Sequence, residues 1–433
     1  ISLEDTVALA EKWFGPIPRR NVQPRNLPVE PIQTEERRLT VERNVPVDAL
    51  HMVFHKCDRL HPDYHVFDML SDLLSAGRSS RLIQHLVVER QVFGSIDAYI
   101  SGSIDAGMFY DGITYEFTNW PMVRVNTYPL ADANGTLSED PTDSAASATA
   151  MATGVLTANG RLGNDFDNNQ LNTIMDLASS LGKATGVVTT DTLSGATPGG
   201  FSAHASYRDN VNEIIPSQMT SGVNLLCGFA QDKYTLIADE FKKHGYAYAE
   251  TVANVKATYS SEFALWQLDT YGVDATVPLP NATALALEYL SQDPDGFVLM
   301  LEQAHPDKYS HNNDFEGVCK SVSDLNKTVE LVLEWIGDRN DTLVLVTADH
   351  ECGGLLVSEK ETKYSNQYTI GDKTISYEFT SSNHTGANVA LYVYGVTADF
   401  TKSDLYFKLN GQKALKNTGI YHLMEEALLA GQE

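Results

Sequence analysis

Positive charge is scarce in this sequence. Its 433 residues carry 31 Lys and Arg against 57 Asp and Glu, which gives a formal net charge of -26. Nonspecific binding to nucleic acid or to an anionic membrane depends on basic patches. The charge balance therefore argues against both kinds of partner.

Cysteine and long apolar runs are also scarce. The sequence contains four cysteines, Cys57, Cys227, Cys319 and Cys352, which lie far apart and form no Cys-x-x-Cys pair. This spacing predicts neither a disulfide framework nor a cysteine-based zinc site, and we expect free, buried thiols. No apolar run approaches the roughly 20 residues of a membrane-spanning helix, so the sequence predicts no membrane partner. The chain starts at Ile1 without a signal peptide, and the compartment stays open at this point.

A single serine stands at the start of an alanine-rich helix. The segment from Pro141 to Gly154 reads P-T-D-S-A-A-S-A-T-A-M-A-T-G, and its small residues favour a helix that ends at the glycine. The pattern predicts that Ser144 lies on the first turn, where unpaired N–H groups and the helix dipole attract an anion such as phosphate. An ordinary N-cap serine produces the same pattern, so this segment alone does not decide its role.

Apolar runs alternate with amphipathic segments through the rest of the chain. We predict strands at 123–128, 184–190, 296–301, 342–347 and 388–394, and helices at 171–181, 314–336 and 421–429. Continuous apolar strands joined by helices predict a parallel sheet covered on both faces, which is an α/β fold. Ligands of such sheets collect beyond the carboxyl ends of the strands, so the acids and histidines that follow these strands are candidate site residues.

Residues 1–108 have a different character. Alternating strands at 38–43 and 49–55 and an amphipathic helix at 62–76 predict a small α+β unit. The segment G-R-S-S-R-L-I-Q-H-L-V-V-E-R resembles part of a pitrilysin or insulinase type zinc metallopeptidase domain. The His-x-x-Glu-His zinc motif of that family is absent from the whole sequence. We therefore expect a noncatalytic fragment, in which His51, His55, His61 and His65 are surface or packing residues.

From residue 109 to 433 the chain resembles the alkaline phosphatases. Four motifs occur in the family's order: D-S-A-A-S-A-T-A-M-A-T-G, E-x4-D-x3-H, T-A-D-H-E-x-G-G and H-T-G-x-x-V. The resemblance implies an alkaline phosphatase-like sheet sandwich with helices on both faces. It also implies metal-dependent hydrolysis of small phosphate monoesters through a phosphoserine at Ser144. Relatives are usually exported dimers, so it further implies a periplasmic or extracellular homodimer.

The resemblance assigns roles by motif position. Asp143 would orient Arg208, the phosphate clamp, and Lys308 would contact phosphate through water. Two Zn²⁺ and one Mg²⁺ are implied, and such cations would offset the repulsion between this acidic chain and its substrate. The first zinc site takes Asp307, His311 and His384; the second takes Asp349 and His350; the magnesium site takes Glu302 and Thr197. Nitrogen and carboxylate ligands suit zinc, and oxygen ligands suit magnesium.

Two departures from the family pattern put activity in question. The early strand ending in Asp-Gly-Met-Gly, whose aspartate bridges the second zinc and the magnesium, is absent; Asp111-Gly112 is a candidate substitute. Gly195 stands where relatives often carry Asp or His beside the magnesium. The alternative function is therefore a catalytically impaired fusion or a binding or assembly protein. A sulfatase or phosphodiesterase is a further alternative, although T-D-S-A-A-S lacks the sulfatase Cys-x-Pro-x-Arg signature.

Overall fold

The computed structural model describes residues 102–358, 364–395, 406–409 and 412–430. The elements predicted within residues 1–101, including the histidines considered above and Cys57, lie outside these ranges. The remaining cysteines, Cys227, Cys319 and Cys352, are buried free thiols, as the sequence predicts. Within the described ranges no helix has the length and apolar character needed to cross a membrane.

Helices and strands alternate through most of this region. The helices are α1 (Gly102–Asp111), α2 (Ser144–Thr153), α3 (Ile174–Ser180), α4 (Ala196–Ser202), α5 (Val211–Met219), α6 (Asp232–Thr235), α7 (Ala238–Lys243), α8 (Val252–Val255), α9 (Leu279–Leu290), α10 (His305–His311), α11 (Phe315–Ile336) and α12 (Thr418–Ala430). The strands are β1 (Met122–Asn126), β2 (Ala184–Thr189), β3 (Leu225–Phe229), β4 (Tyr246–Ala249), β5 (Phe263–Leu268), β6 (Phe297–Glu302), β7 (Leu343–Val346), β8 (Glu351–Cys352), β9 (Leu355–Ser358), β10 (Asn366–Ile370), β11 (Lys373–Phe379), β12 (His384–Thr385), β13 (Val389–Gly395), β14 (Tyr406–Leu409) and β15 (Gln412–Lys416).

A parallel sheet carries one half of the fold. Its strand order is β4-β5-β3-β2-β6, and all neighbours are parallel. One face packs against α9 around the fully buried Trp266, and the other packs against α3 and α4. Every residue of β2, an interior strand of this sheet, is buried, as expected for a parallel sheet that is covered on both faces. The predicted α/β class is confirmed.

A second, mixed sheet follows the order β14-β15-β1-β13-β7. The prediction that the strands at 296–301 and 342–347 share one parallel sheet is wrong, because β7 pairs antiparallel with β13 while β6 pairs with β2. Among the described residues, β6 and β7 each have a paired neighbour on one side. Each is thus an edge strand of its own sheet in this part of the chain, and the absence of one strand of the family's sheet stays a prediction.

Helix α1 packs against the long helix α11 and crosses the predicted domain boundary at 108/109. Asp111 ends this helix, and its carboxylate accepts hydrogen bonds from the Tyr115 hydroxyl at 2.8 Å and the Ser323 hydroxyl at 2.9 Å. Both oxygens of Asp111 are therefore engaged away from the predicted site residues. Asp111 does not substitute for the missing aspartate.

Helix α2, which begins at Ser144, packs closely against α4. A Cβ atom at Gly200 would lie 2.8 Å from the Ala148 Cβ and 3.1 Å from the Thr149 backbone nitrogen. Such distances are shorter than van der Waals contact, so only glycine permits this approach of the two helices. The contact fixes the helix that carries the candidate nucleophile.

We expect Gly200→Ala to lower the free energy of unfolding by about 1–3 kcal/mol, because the added methyl group must push the two helices apart. The measurement is urea unfolding followed by circular dichroism. Leu236→Ala is the control, since Leu236 is 82% exposed and its truncation should change stability by less than about 0.5 kcal/mol. An alanine variant as stable as the parent would show that the helices are not held at this distance.

Candidate active site

Ser144 is the first residue of α2, and Asp143 is its N-cap. Asp143 Oδ1 accepts a hydrogen bond from the Ala146 backbone N–H at 2.9 Å. The alternative that Ser144 itself caps the helix is therefore not the arrangement found. Gly154 ends the helix with a left-handed φ of 73°, as the sequence predicts. Since the capping bond is made by Asp143, the Ser144 hydroxyl is available to other groups.

The second carboxylate oxygen of Asp143 holds Arg208. Asp143 Oδ2 accepts a hydrogen bond from Arg208 Nη1 at 3.2 Å and another from the Gly160 backbone N–H at 3.0 Å. Arg208 and Ser144 both line a cavity of about 350 Å³. The guanidinium is thus oriented beside the hydroxyl, where its planar donors can bind an oxyanion.

Three further residues on the wall of this cavity bring their donor atoms together. Asp307 Oδ1 lies 3.4 Å from His311 Nε2 and 3.4 Å from His384 Nε2, and the two Nε2 atoms are 3.2 Å apart. Tetrahedral zinc with ligands at about 2.0–2.1 Å has donor atoms about 3.3–3.4 Å apart. The triangle therefore has the dimensions of one face of a zinc tetrahedron.

Hydrogen bonds on the far side of each ring set the tautomers. His311 Nδ1 lies 2.7 Å from the Ser382 carbonyl, and His384 Nδ1 lies 2.8 Å from the Thr142 carbonyl. Because a carbonyl only accepts, each Nδ1 carries hydrogen, and a neutral ring directs the Nε2 lone pair at the triangle. Asp307 Oδ1 is buried and has no hydrogen-bond partner. The donor set thus fits a divalent cation, which would satisfy all three atoms.

The electrostatics of the triangle agree with this fit. Burial would raise the pKa of Asp307, but the imidazoles of His384, His350 and His311 hold it below its ordinary value. Burial would lower the pKa of His384, but the Asp307 carboxylate and the Thr142 carbonyl raise it. A proton and a metal ion therefore compete for the same nitrogen of His384.

The Ser144 hydroxyl faces a second group of donors. Its Oγ lies 2.9 Å from His350 Nε2, and the same nitrogen lies 3.2 Å from Asp349 Oδ2. Burial lowers the pKa of His350, whose side chain is 1% exposed, and so favours the neutral ring. A hydroxyl, a carboxylate and a neutral imidazole nitrogen thus meet at one point, which suits a second cation.

Glu302 and Thr197 meet at the carboxyl end of β6. Burial raises the pKa of Glu302 to about 8, opposed by hydrogen bonds from the Thr189 and Thr197 hydroxyls and assisted by the charges of Asp191 and Asp349. A carboxylate beside a hydroxyl is an oxygen donor pair of the kind that magnesium prefers. The negative charge of Asp349 helps to raise the pKa of Glu302, and the same carboxylate contacts His350.

Asp191 is a site residue that the sequence analysis missed. Its Oδ2 forms an ion pair with Lys308 Nζ at 2.9 Å, and the ammonium also lies over the Tyr271 ring. A Cβ atom at Gly195 would lie 3.3 Å from the same oxygen. The Asp191 carboxylate therefore occupies the space beside the glycine where relatives often carry an acid. The missed signal was T-T-D at the end of β2, a polar residue that follows an apolar strand.

Cys352 is the second residue that was missed. Its thiol joins Asp307, His311 and His384 in a group whose possible ligand atoms all lie within 4.8 Å of one another. The sequence predicts no cysteine-based zinc site, and its cysteine spacing gives no sign of this placement. Burial raises the pKa of the Cys352 thiol, and the negative charge of Asp307 raises it further. The thiol lies in T-A-D-H-E-C-G-G, but its neighbours come from distant segments.

Comparison with known proteins assigns most of the chain to one family. The family model described as Alkaline phosphatase matches residues 106–227 and 222–377. Alkaline phosphatase 3 of Bacillus subtilis is 32% identical over 246 residues, covering 52% of this chain and 53% of that protein. Alkaline phosphatase 4 of the same organism is 31% identical over 232 residues, covering 50% of each. The chain spans about half the length of these two relatives. Alkaline phosphatase of Escherichia coli is 27% identical over 396 residues, covering 72% and 81%.

Solved structures agree on the fold. The alkaline phosphatase of the Antarctic bacterium TAB5 has a TM-score of 0.64 at 23% identity, covering 76% of this chain and 94% of that one. A cold-active alkaline phosphatase of Shewanella sp. has a TM-score of 0.65 at 24% identity, covering 77% and 98%. At these identities the likeness concerns the fold alone.

The N-terminal part matches a different family. The model described as Peptidase M16 inactive domain matches residues 1–120. The predicted resemblance to a peptidase domain without its zinc motif is confirmed. The alkaline phosphatase match begins at residue 106 and extends over more than half of the sequence. The chain therefore belongs to the alkaline phosphatase family, and it carries a peptidase-like segment at its N-terminal end.

Proposed function

We propose that this chain is a metal-dependent phosphomonoester hydrolase that acts through a phosphoserine at Ser144. One observation carries the proposal: Ser144, Arg208, Asp307, His311 and His384 line a single cavity, with the serine hydroxyl 2.9 Å from His350 Nε2. This cavity combines a nucleophile, a guanidinium and a set of metal-binding donor atoms. Small phosphate monoesters are the proposed substrates.

Each of these residues has a separate role in the proposed phosphoryl transfer. Ser144 Oγ attacks phosphorus and loses its proton to solvent, the bond from phosphorus to the ester oxygen breaks, and the alcohol leaves with a proton from solvent. Water then hydrolyses the phosphoserine, which restores the hydroxyl and releases inorganic phosphate. Arg208 holds the phosphoryl oxygens, oriented by Asp143 at 3.2 Å. The N–H groups at the start of α2 add positive potential beside the same oxygens.

We further propose two Zn²⁺ and one Mg²⁺ as cofactors. The first zinc ligands are Asp307, His311 and His384, the second are Asp349 and His350, and the magnesium ligands are Glu302 and Thr197. Bound cations would supply Lewis acidity that stabilises the Ser144 alkoxide and the phosphoryl charge. A mutant of the TAB5 alkaline phosphatase has magnesium bound in its M3 site. The half-buried Glu302 carboxylate supports the magnesium assignment in this chain.

The geometry argues against a metal-free serine–histidine–aspartate triad. In a triad the serine and the acid contact opposite nitrogens of the imidazole. Here Ser144 and Asp349 both approach Nε2 of His350, and Nδ1 is buried without a hydrogen-bond partner. The acid therefore does not orient the ring in the way that a triad requires.

A second candidate function is a catalytically impaired fusion or a binding and assembly protein. It is favoured by the positions of β6 and β7 as edge strands of two separate sheets among the described residues and by the engagement of Asp111 away from the site. Loss of a bridging carboxylate would weaken two cation sites at once, and a misplacement of about 1 Å costs about 100-fold in rate. Metal content and turnover decide between the two functions.

The test is hydrolysis of p-nitrophenyl phosphate by the purified chain with zinc and magnesium. We expect release of inorganic phosphate, a phosphoserine at Ser144 in acid-quenched samples, and loss of activity on chelation that metal readdition reverses. Bis-p-nitrophenyl phosphate is the diester control, and preference for it would support the phosphodiesterase alternative. Absence of both phosphate release and phosphoserine in protein shown to contain metal would establish the impaired alternative.

Lys308 offers a finer prediction. Its ammonium is 34% exposed and paired with Asp191, so its effect on a bound phosphate is moderated by solvent. We expect Lys308→Ala to raise the inhibition constant of inorganic phosphate about fivefold, equivalent to about 1 kcal/mol, with a smaller change in kcat. Lys320→Ala is the matched control, because Lys320 is similarly exposed and pairs with Glu316. If the two variants had equal inhibition constants for inorganic phosphate, Lys308 would not contact the bound phosphate.

Organisation and location are also proposals. We propose a boundary between the peptidase-like segment (1–108) and the phosphatase-like domain (109–433), and an exported homodimer found in the periplasm or outside the cell. The domain boundary is supported by the two family models, which overlap at residues 106–120. The dimer and the location are proposed from family resemblance. Size-exclusion chromatography with light scattering tests the proposed dimer.

A further inference from the structure

Strand pairing places a cysteine beside the candidate zinc triangle. Strands β8 and β12 form an antiparallel pair in which Cys352 lies opposite His384, and Glu351 lies opposite Thr385. Residues opposite one another in such a pair project from the same face of the sheet. The thiol therefore lies on the face of His384. Glu351 projects from the other face, where its carboxylate is bonded to Thr385 and to the Gly354 backbone N–H.

Helix α10 brings Asp307 and His311 to the same thiol. Cys352 Sγ donates to the Asp307 backbone carbonyl at 3.7 Å, and its sulfur lies within 4.8 Å of the donor atoms of Asp307, His311 and His384. Cys352 is 6% exposed and is not among the residues that line the cavity. It thus approaches the triangle from the protein interior rather than from the cavity.

We propose that the Cys352 thiolate is a fourth protein ligand of the cation held by Asp307, His311 and His384. The thiol proton passes to solvent when the metal binds, and the sulfur completes a mixed nitrogen, oxygen and sulfur set. A sulfur–nitrogen edge in tetrahedral zinc is about 3.5 Å, so the distances from Sγ to the other donor atoms would shorten by at most about 1.3 Å on metal binding. A rotation about the cysteine side chain covers a distance of this size.

The chemical consequence is metal selection. Thiolate is a soft ligand that favours Zn²⁺, Co²⁺ and Cd²⁺, whereas Mg²⁺ prefers oxygen. The triangle with Cys352 should therefore reject magnesium, and the all-oxygen pair Glu302 and Thr197 should accept it. The inference rests on the metal centre of the proposed function, but it does not depend on phosphatase turnover.

The experiment is titration of the chelator-treated protein with Co²⁺, recorded by absorption spectroscopy. A cobalt–thiolate bond produces a charge-transfer band in the near ultraviolet, whereas nitrogen and oxygen ligands alone do not. We expect this band in the parent protein and its loss in Cys352→Ser, together with at least a tenfold weaker affinity for zinc. Cys227→Ser is the matched control, since Cys227 is also buried but lies in β3 within the core.

The outcomes separate the two proposals. Visible cobalt bands without the charge-transfer band overturn the role of Cys352 and leave the three-ligand site intact. Failure of the parent protein to bind cobalt overturns both the thiolate ligand and the proposed metal centre. Should Cys352→Ser prove unstable, ¹¹³Cd resonance of the parent protein decides the question, because a thiolate ligand shifts the cadmium signal strongly downfield.

Discussion

Replacing Ser144 with alanine is expected to reduce phosphate release by at least about 10³-fold and to abolish the phosphoenzyme. The reason is the position of the hydroxyl: Oγ is the proposed nucleophile in the cavity that Arg208 also lines, and it lies 2.9 Å from His350 Nε2. Because Asp143 supplies the N-cap bond to Ala146, helix α2 keeps its cap when the hydroxyl is removed. The measurements are steady-state hydrolysis of p-nitrophenyl phosphate and mass spectrometry of acid-quenched protein.

Ser180→Ala is the control for the first prediction. Ser180 is an exposed serine at the end of α3, so its hydroxyl has no contact with the cavity. Its variant should retain both activity and the phosphoenzyme. A Ser144→Ala protein that hydrolyses the ester at the parent rate would mean that another group attacks phosphorus, and the assignment of the nucleophile would be withdrawn.

The second large effect is expected at Asp307. Substitution by asparagine removes the negative charge that faces His311 and His384 at 3.4 Å each. We expect zinc affinity and kcat/KM both to fall by at least about 100-fold, since the triangle loses its anionic ligand. Metal content after dialysis and turnover at saturating zinc are the two measurements.

Asp341→Asn is the control for the second prediction. Asp341 is an exposed aspartate before β7, and its variant loses the same charge from the protein without touching the cavity. Both metal content and turnover should stay at the parent level. If Asp307→Asn kept its zinc while losing activity, Asp307 would act on substrate rather than on metal.

Local patterns were sufficient to predict several of the longer elements. The helix expected at 314–336 is α11, whose N-cap Asp314 accepts from the Gly317 backbone N–H, and the strand expected at 388–394 is β13. These signals are periodic in the sequence and depend on neighbouring residues. The partner of a strand is not encoded locally, which is why β7 was wrongly assigned to the parallel sheet.

The candidate site, too, could be predicted only in part from local sequence motifs. The motif residues were predicted as a group, and the structure places them around one cavity and at the ends of β6 and β7. Cys352 was missed because its contact with His384 arises from the pairing of two short strands. Asp191 was missed because Gly195 was taken as a loss, although a carboxylate four residues earlier occupies the adjoining space. Motif matching cannot identify a residue that fills the same space from a different position in the sequence.

The bond from His384 Nδ1 to the Thr142 carbonyl connects the proposed metal ligand to the segment that precedes Ser144. A cation that immobilises the imidazole would therefore slow the opening of this segment and of the first residues of α2. Amide hydrogen exchange at Asp143 and Ala146 should become slower when zinc is added, even in a protein without substrate. Ordering of the attacking segment would then depend on how well the cell supplies the metal.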